Sequence, residues 1–94
     1  MNKSDLIERL ALRADISTIQ AEDIVHLVFR KMRDTLVNDG RIEFRGFGSF
    51  VVKKYKSYQG RNPKTGEKIE VSPKKLPFFK VGKDLKERVD TPAE

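Results

Sequence analysis

The sequence predicts an α+β fold: two N-terminal helices, a three-stranded antiparallel sheet drawn out into a long β-ribbon arm, and a short C-terminal helix. Three observations predict it. Apolar residues recur at three- and four-residue spacing through the first forty positions. The stretch Gly60-Arg61-Asn62-Pro63-Lys64-Thr65-Gly66-Glu67 has a turn-former at nearly every position. Strand-like runs flank it, Phe50 to Tyr58 before and Ile69 to Val71 after, so it reads as the tip of a two-stranded arm.

The first helix begins at Asn2 or Lys3 and runs to about Ala14, with Leu6, Ile7, Leu10, Ala11 and Ala14 forming one stripe. Asp15-Ile16 breaks it. Ser17-Thr18-Ile19-Gln20 matches a capping box, with Ser17 as N-cap and Gln20 as its reciprocal partner. The second helix then spans Thr18 to about Asn38, with Ala21, Val25, Val28, Phe29, Met32 and Leu36 on one stripe. Ile24 and Leu27 widen that stripe beyond what the first helix covers, which marks a candidate dimer surface. Gly40 is expected to end the helix in a left-handed conformation.

Arg41 to Arg45 alternates polar and apolar residues, as a half-buried strand does, and Gly46-Phe47-Gly48 supplies a tight turn. Phe44, Phe47, Phe50 and Phe79 are expected to meet in one core with the helices. Gly82 opens the last helix, Lys83 to about Val89, and Asp90 to Glu94 reads as a frayed tail. With 94 residues, no internal repeat and no linker, residues 1–94 are read as a single domain whose arm covers about 53–75.

Charge is the most informative part of the composition. Residues 1–52 are balanced, and so are residues 76–94. Residues 53–75 carry eight cations (Lys53, Lys54, Lys56, Arg61, Lys64, Lys68, Lys74 and Lys75) against Glu67 and Glu70, which accounts for the whole net charge of +6. A basic arm on a near-neutral body points to a polyanion, most often nucleic acid. The plainer alternative is a solvated edge, because lysine also protects exposed strands. Pro63, rigid and without an N–H, stands at the tip between Arg61 and Lys64. It is either a residue that shapes the turn or an apolar wedge for stacked bases.

Other chemistry is not expected. The chain has no cysteine and one histidine, His26, so neither a disulfide framework nor a metal site can be composed from them. Lys64-Thr65-Gly66 reverses the order of a phosphate loop, and no helix follows it. We expect no enzymatic activity, no cofactor, no small-molecule substrate and no membrane span. The absence of a signal-type N-terminus leads us to expect a cytoplasmic protein.

Three motifs, Gly46-Phe47-Gly48-Ser49-Phe50, Gly60 to Gly66, and Phe79-Lys80-Val81-Gly82-Lys83-Asp84-Leu85-Lys86, occur in an order and at intervals that resemble the HU and integration host factor family over nearly the whole chain. Arg41-Ile42-Glu43-Phe44-Arg45 looks more like the beta chain of integration host factor than like HU. Tyr55 and Tyr58 stand where the family's arm usually has arginine, and Val81 stands where integration host factor often has proline.

The resemblance implies an intertwined dimer whose arms reach around double-stranded DNA through the minor groove, in support of recombination, replication and transcription control at the nucleoid. The partner is a related alpha subunit or a second copy of this chain. Its DNA-binding residues correspond to Lys3, Ser4, Glu43, Arg45, Lys53, Lys54, Lys56, Arg61, Asn62, Pro63, Lys64, Lys80, Lys83 and Lys86, with Pro63 as the intercalating wedge. Glu43 is expected to hold the Arg45 guanidinium, and the starts of the first and last helices to offer amides and cations to phosphates. Its dimer interface corresponds to Val25, Val28, Phe29, Met32, Leu36, Phe47, Phe50 and Phe79. Together with the charge segregation, the resemblance favours the wedge reading of Pro63. An HU-like homodimer with little sequence preference is the alternative within the class. A basic RNA-binding protein and a pure assembly protein are the alternatives outside it.

Overall fold

The computed structural model describes residues 1–91, so the expected tail falls mostly outside the described residues. The chain divides into two compact units at Asn38–Asp39.

The first unit is a helical pair. α1 (Lys3–Ala14) is capped by Asn2, whose side chain accepts from the Asp5 amide while the Asp5 carboxylate accepts from the Asn2 amide. α2 (Thr18–Val37) starts in the capping box predicted for Ser17 and Gln20. Between them Asp15 takes the left-handed conformation with φ 54°, and the Ile16 amide returns to the Ala11 carbonyl at 3.1 Å. The buried residues are Ile7, Ala21 and Val25, with Leu10, Ala11 and Ile16 packed against them. Val25, expected on the partner-facing stripe, is only 4% exposed and belongs to this core. The small Ala21 lets α1 approach closely and leaves Val25 on the inward side one turn later. Val28 and Phe29 are each 47% exposed, and Ile24 and Leu27 also face solvent.

The second unit is built on three antiparallel strands, β1 (Ile42–Phe44), β2 (Gly48–Tyr55) and β5 (Lys74–Val81), in the order β1-β2-β5. The left-handed residue before β1 is Asp39, with φ 62°, and not Gly40 as expected. Aspartate tolerates that region because its short polar side chain can bond locally. Gly46, with φ 82°, and the Phe47 amide donating to the Phe44 carbonyl at 2.9 Å close the β1–β2 turn. The same turn receives α3 (Lys83–Val89): the Gly82 amide donates to Phe47 O at 2.9 Å and the Leu85 amide to Gly46 O at 3.2 Å. Phe44, Phe47, Phe50 and Phe79 meet one another, which is the part of the expectation that the ring geometry shows. Phe50 and Phe79 lie 4.8 Å apart between centroids, and Phe44 stands edge-on to both Phe47 and Phe50 at 6.3 Å. The cluster is open on one side, with Phe47 49% exposed.

The arm differs from the continuous ribbon expected from Phe50 to Tyr58. The β2–β5 ladder stops at Tyr55 opposite Lys74, and a second ladder of β3 (Tyr58–Arg61) and β4 (Lys68–Val71) begins at Tyr58 opposite Val71. Register is unbroken across the gap, which puts Lys56 opposite Pro73 and Ser57 opposite Ser72. Pro73 has no N–H to give the ladder, and that accounts for the interruption.

Gly48 is held by space. A Cβ built on it lies 2.5 Å from both the Lys80 carbonyl oxygen and the Phe79 ring. Gly48→Ala should therefore lower stability by about 1–3 kcal/mol, the usual range for overpacking. Chemical denaturation of parent and variant checks this, and an unchanged midpoint would contradict the packing described for the turn.

Candidate nucleic-acid interface

Alternation along β2 and β5 sorts the arm's root into two faces. Phe50, Val52 and Lys54 share one face with Lys75, Pro77 and Phe79. Ser49, Val51, Lys53 and Tyr55 share the other with Lys74, Leu76, Phe78 and Lys80. On the second face Lys53 lies over the Phe78 ring, with Nζ 3.5 Å from the centroid, and the Lys74 ammonium is 5.8 Å from the Tyr55 ring. This face is exposed, cationic and aromatic.

Two cross-strand pairs place cation directly against cation, Lys54 with Lys75 at the root and Arg61 with Lys68 near the tip. Like charges in that position repel. At the root Asp39 answers the repulsion: Lys75 Nζ donates to Oδ1 at 2.8 Å, and Lys54 Nζ lies 3.4 Å from Oδ2. The hydrogen bond from Lys75 holds the Asp39 carboxyl below its ordinary value, and Lys54 adds to the effect. Near the tip, Arg61 and Lys68 have no acidic partner within ion-pair distance among the described residues. An uncompensated opposed pair of this kind is a seat for an external anion. Lys54, expected to serve DNA, pairs with Asp39 in this structure.

The tip is a closed turn. The Asn62 amide donates to Glu67 O at 2.9 Å, the Gly66 amide to Asn62 O at 2.7 Å, and the Asn62 Oδ1 accepts from the Lys64 amide at 2.9 Å. Asn62 is thus committed to holding the turn, while Pro63 and Lys64 stand exposed on it. Pro63 shapes the turn and is also presented outward.

The remaining expected site residues are scattered. Glu43 does not hold Arg45. Its carboxylate lies 3.8 Å from Arg41, whose guanidinium also reaches Ser49 Oγ at 3.4 Å. β1 spans only Ile42–Phe44, so the two arginines each lie one residue outside it, Arg41 before its start and Arg45 in the turn. Lys83, 89% exposed at the side chain, lies 3.9 Å from Glu87. Lys80 and Lys86 are exposed. The helix starts have fewer free amides than expected, because Asn2 takes that of Asp5 and Gly46 takes that of Leu85. Lys3 and Ser4 are exposed, and Lys3 lines one surface pocket with His26, Phe29, Arg30 and Arg33. The grouping of Arg30 and Arg33 with Lys3 was missed in the sequence, as was the Asp39 bridge. Both depend on packing between residues far apart in the chain. Among the described residues no helix is long and apolar enough to cross a membrane.

Residues 1–90 match the sequence family described as bacterial DNA-binding protein. The chain belongs to that family. It is similar to the beta subunit of integration host factor from Dichelobacter nodosus, 47% identical with 96% of this chain and 95% of that protein covered. The corresponding subunit from Actinobacillus succinogenes is 50% identical, with 96% and 97% covered. Among solved structures, HU from Anabaena in a cocrystal with DNA superposes with a TM-score of 0.82 at 33% identity, covering 98% of this chain and all of that one. HU from Thermotoga maritima gives 0.66 at 28% identity, with 96% and 100% covered.

The Asp39 bridge has a direct check. A carboxyl whose folded value is depressed adds stability above its unfolded value and loses it as pH falls through the lower folded value. Carbon-detected titration of Asp39 should therefore give a midpoint below the ordinary 3.8, so the bridge is intact at neutral pH and dissolves only in stronger acid. A midpoint at or above 3.8 would contradict it.

Proposed function

We infer that this chain is an architectural DNA-binding subunit that bends duplex DNA with its β-arm in the minor groove. The observation that carries this reading is the exposed tip, where Pro63 projects between Arg61 and Lys64 on a ribbon whose Arg61–Lys68 pair lacks an internal counterion. Bending by an inserted apolar wedge is a property of the family, and the residues above supply each part of it here. A β-ribbon in the minor groove reads a degenerate code, so selection of sites rests on deformability and groove width. Unstacking one base step costs a few kcal/mol, offset by the flanking contacts that a bend allows. Lys53, Lys56, Lys64, Lys80, Lys83, Lys86 and Arg45 are exposed cations for phosphates, and Lys3 stands with Arg30 and Arg33. We take residues 1–94 as one DNA-binding domain, at the nucleoid in the cytoplasm, with a binding role in place of catalysis.

A partner subunit completes the fold. Val28 and Phe29 of α2 and Phe47 and Phe79 of the aromatic cluster are all more than a third exposed, a large apolar area for so short a chain. Val28, Phe29, Met32 and Leu36 on the helical unit, and separately Phe47, Phe50 and Phe79 in the aromatic cluster, are the residues we assign to dimerisation, and Val25 is no longer among them. The relatives named as beta subunits point to a related alpha chain as partner, with a homodimer as the second reading.

Pro63→Ala keeps a small residue at the tip but removes the ring. Folding should be near normal because the turn is held by Asn62 and Glu67. End-to-end energy transfer on a labelled linear duplex should show a shallower bend and weaker binding, with a smaller loss on nicked duplex, whose deformation is supplied in advance. A variant that bends linear DNA as sharply as the parent would leave Pro63 as a turn residue only. Stronger retention on RNA than on bent duplex in the same gel-shift series would favour the RNA-binding alternative.

A further inference from the structure

The Asp39 bridge does more than neutralise charge. Its two oxygens hold one lysine from each strand of the arm, Lys75 of β5 through Oδ1 and Lys54 of β2 through Oδ2. That pair lies one step before the last rung of the ladder, Tyr55 opposite Lys74, after which Lys56–Ser57 and Ser72–Pro73 are unpaired. The carboxylate itself comes from outside the ribbon, on a residue kept in the left-handed conformation immediately before Gly40 and β1. One carboxylate thus bridges both strands at nearly the last level where the arm is still continuous with the three-stranded sheet. Without it, two opposed ammonium groups would push the strands apart at that level.

Exposed ion pairs contribute little to stability taken singly. Two that share one carboxylate and straddle both strands restrict direction, which is a different effect. Resting on the DNA-bending reading above, we propose that Asp39 is a positioning residue for bending: by gripping Lys54 and Lys75 it sets the direction in which the arm leaves the sheet. It touches no DNA in this role. Its effect reaches the duplex through the angle at which Pro63 is presented.

The test uses the assembled dimer and Asp39→Asn, which keeps the side chain's shape and its tolerance of the left-handed region but removes the charge. Amide exchange at the paired residues of the arm root, Lys53 to Tyr55 and Lys74 to Leu76, should quicken about tenfold in the free protein. Energy transfer on a bound linear duplex should fall and broaden, while affinity stays within about threefold of the parent because the tip is untouched. The same replacement in a Lys54→Met, Lys75→Met background should change neither readout, since there is nothing left to grip.

Unchanged exchange and unchanged transfer in Asp39→Asn would overturn the proposal. So would an equal change in the double-Met background, which would route the effect through something other than the two lysines. A role limited to stability would shift the melting temperature and leave the bend as it was, and that outcome also overturns it. If the parent itself leaves linear duplex straight, the bending reading fails first and the positioning role falls with it. The exchange data on the free protein still show whether Asp39 fixes the arm root.

Discussion

The structure depends on how a two-stranded ribbon tolerates its own charge. A ribbon this basic places cations opposite one another wherever its register aligns them, and each such pair needs an anion. The fold resolves the two aligned pairs differently. Lys54 and Lys75 share Asp39, at 3.4 and 2.8 Å, whereas Arg61 and Lys68 have no acidic partner among the described residues. The opposed lysines at the root thus share an internal carboxylate, whereas the opposed pair near the tip has none among the described residues. On the proposed reading, DNA backbone would supply the missing charge at the tip, and release of its condensed counterions would add a favourable, salt-dependent contribution.

A second constraint is apolar. In the helical pair Ile7, Ala21 and Val25 are covered, while the outward side of α2 is not. The aromatic cluster around Phe47 and Phe79 is likewise open. Short chains bury a limited share of their surface, and one that carries an extended arm buries even less. In the proposed dimer, association with another subunit would relieve this deficit and supply a second arm. Dimerisation and DNA bending would then have one origin, residues spent on reach that are not available for a core.

Much of this was legible in the sequence. The capping box at Ser17 and Gln20, the glycine turn at Gly46 to Gly48, the four meeting phenylalanines and the tip at Asn62 to Gly66 all follow from local rules, and the structure bears each of them out. The failures share a cause. Glu43 sits in the middle of a three-residue strand with an arginine just outside each end, and the sequence alone does not say which of the two reaches it. The break in the arm needed the register, because Pro73 interrupts a strand that reads as continuous until its opposite number is known. Asp39 lies 15 and 36 positions from its two lysines, and an isolated aspartate after a helix carries no sign of them. Val25 looked like the rest of its stripe, since helical periodicity does not say which part of an apolar face the neighbouring helix takes.

Of the two opposed cation pairs, Arg61 with Lys68 near the tip, and not Lys54 with Lys75 at the root, is the one proposed to carry charge for the duplex. Salt dependence of affinity separates the two, because the slope of log affinity against log salt counts the phosphates neutralised. Two double replacements, Arg61→Ala with Lys68→Ala and Lys54→Ala with Lys75→Ala, remove the same formal charge from the same arm. Loss of the tip pair should flatten the slope by about two for each copy of the chain in the dimer, and loss of the root pair should leave it nearly unchanged. Equal flattening by both, or an unchanged slope after loss of the tip pair, would contradict it.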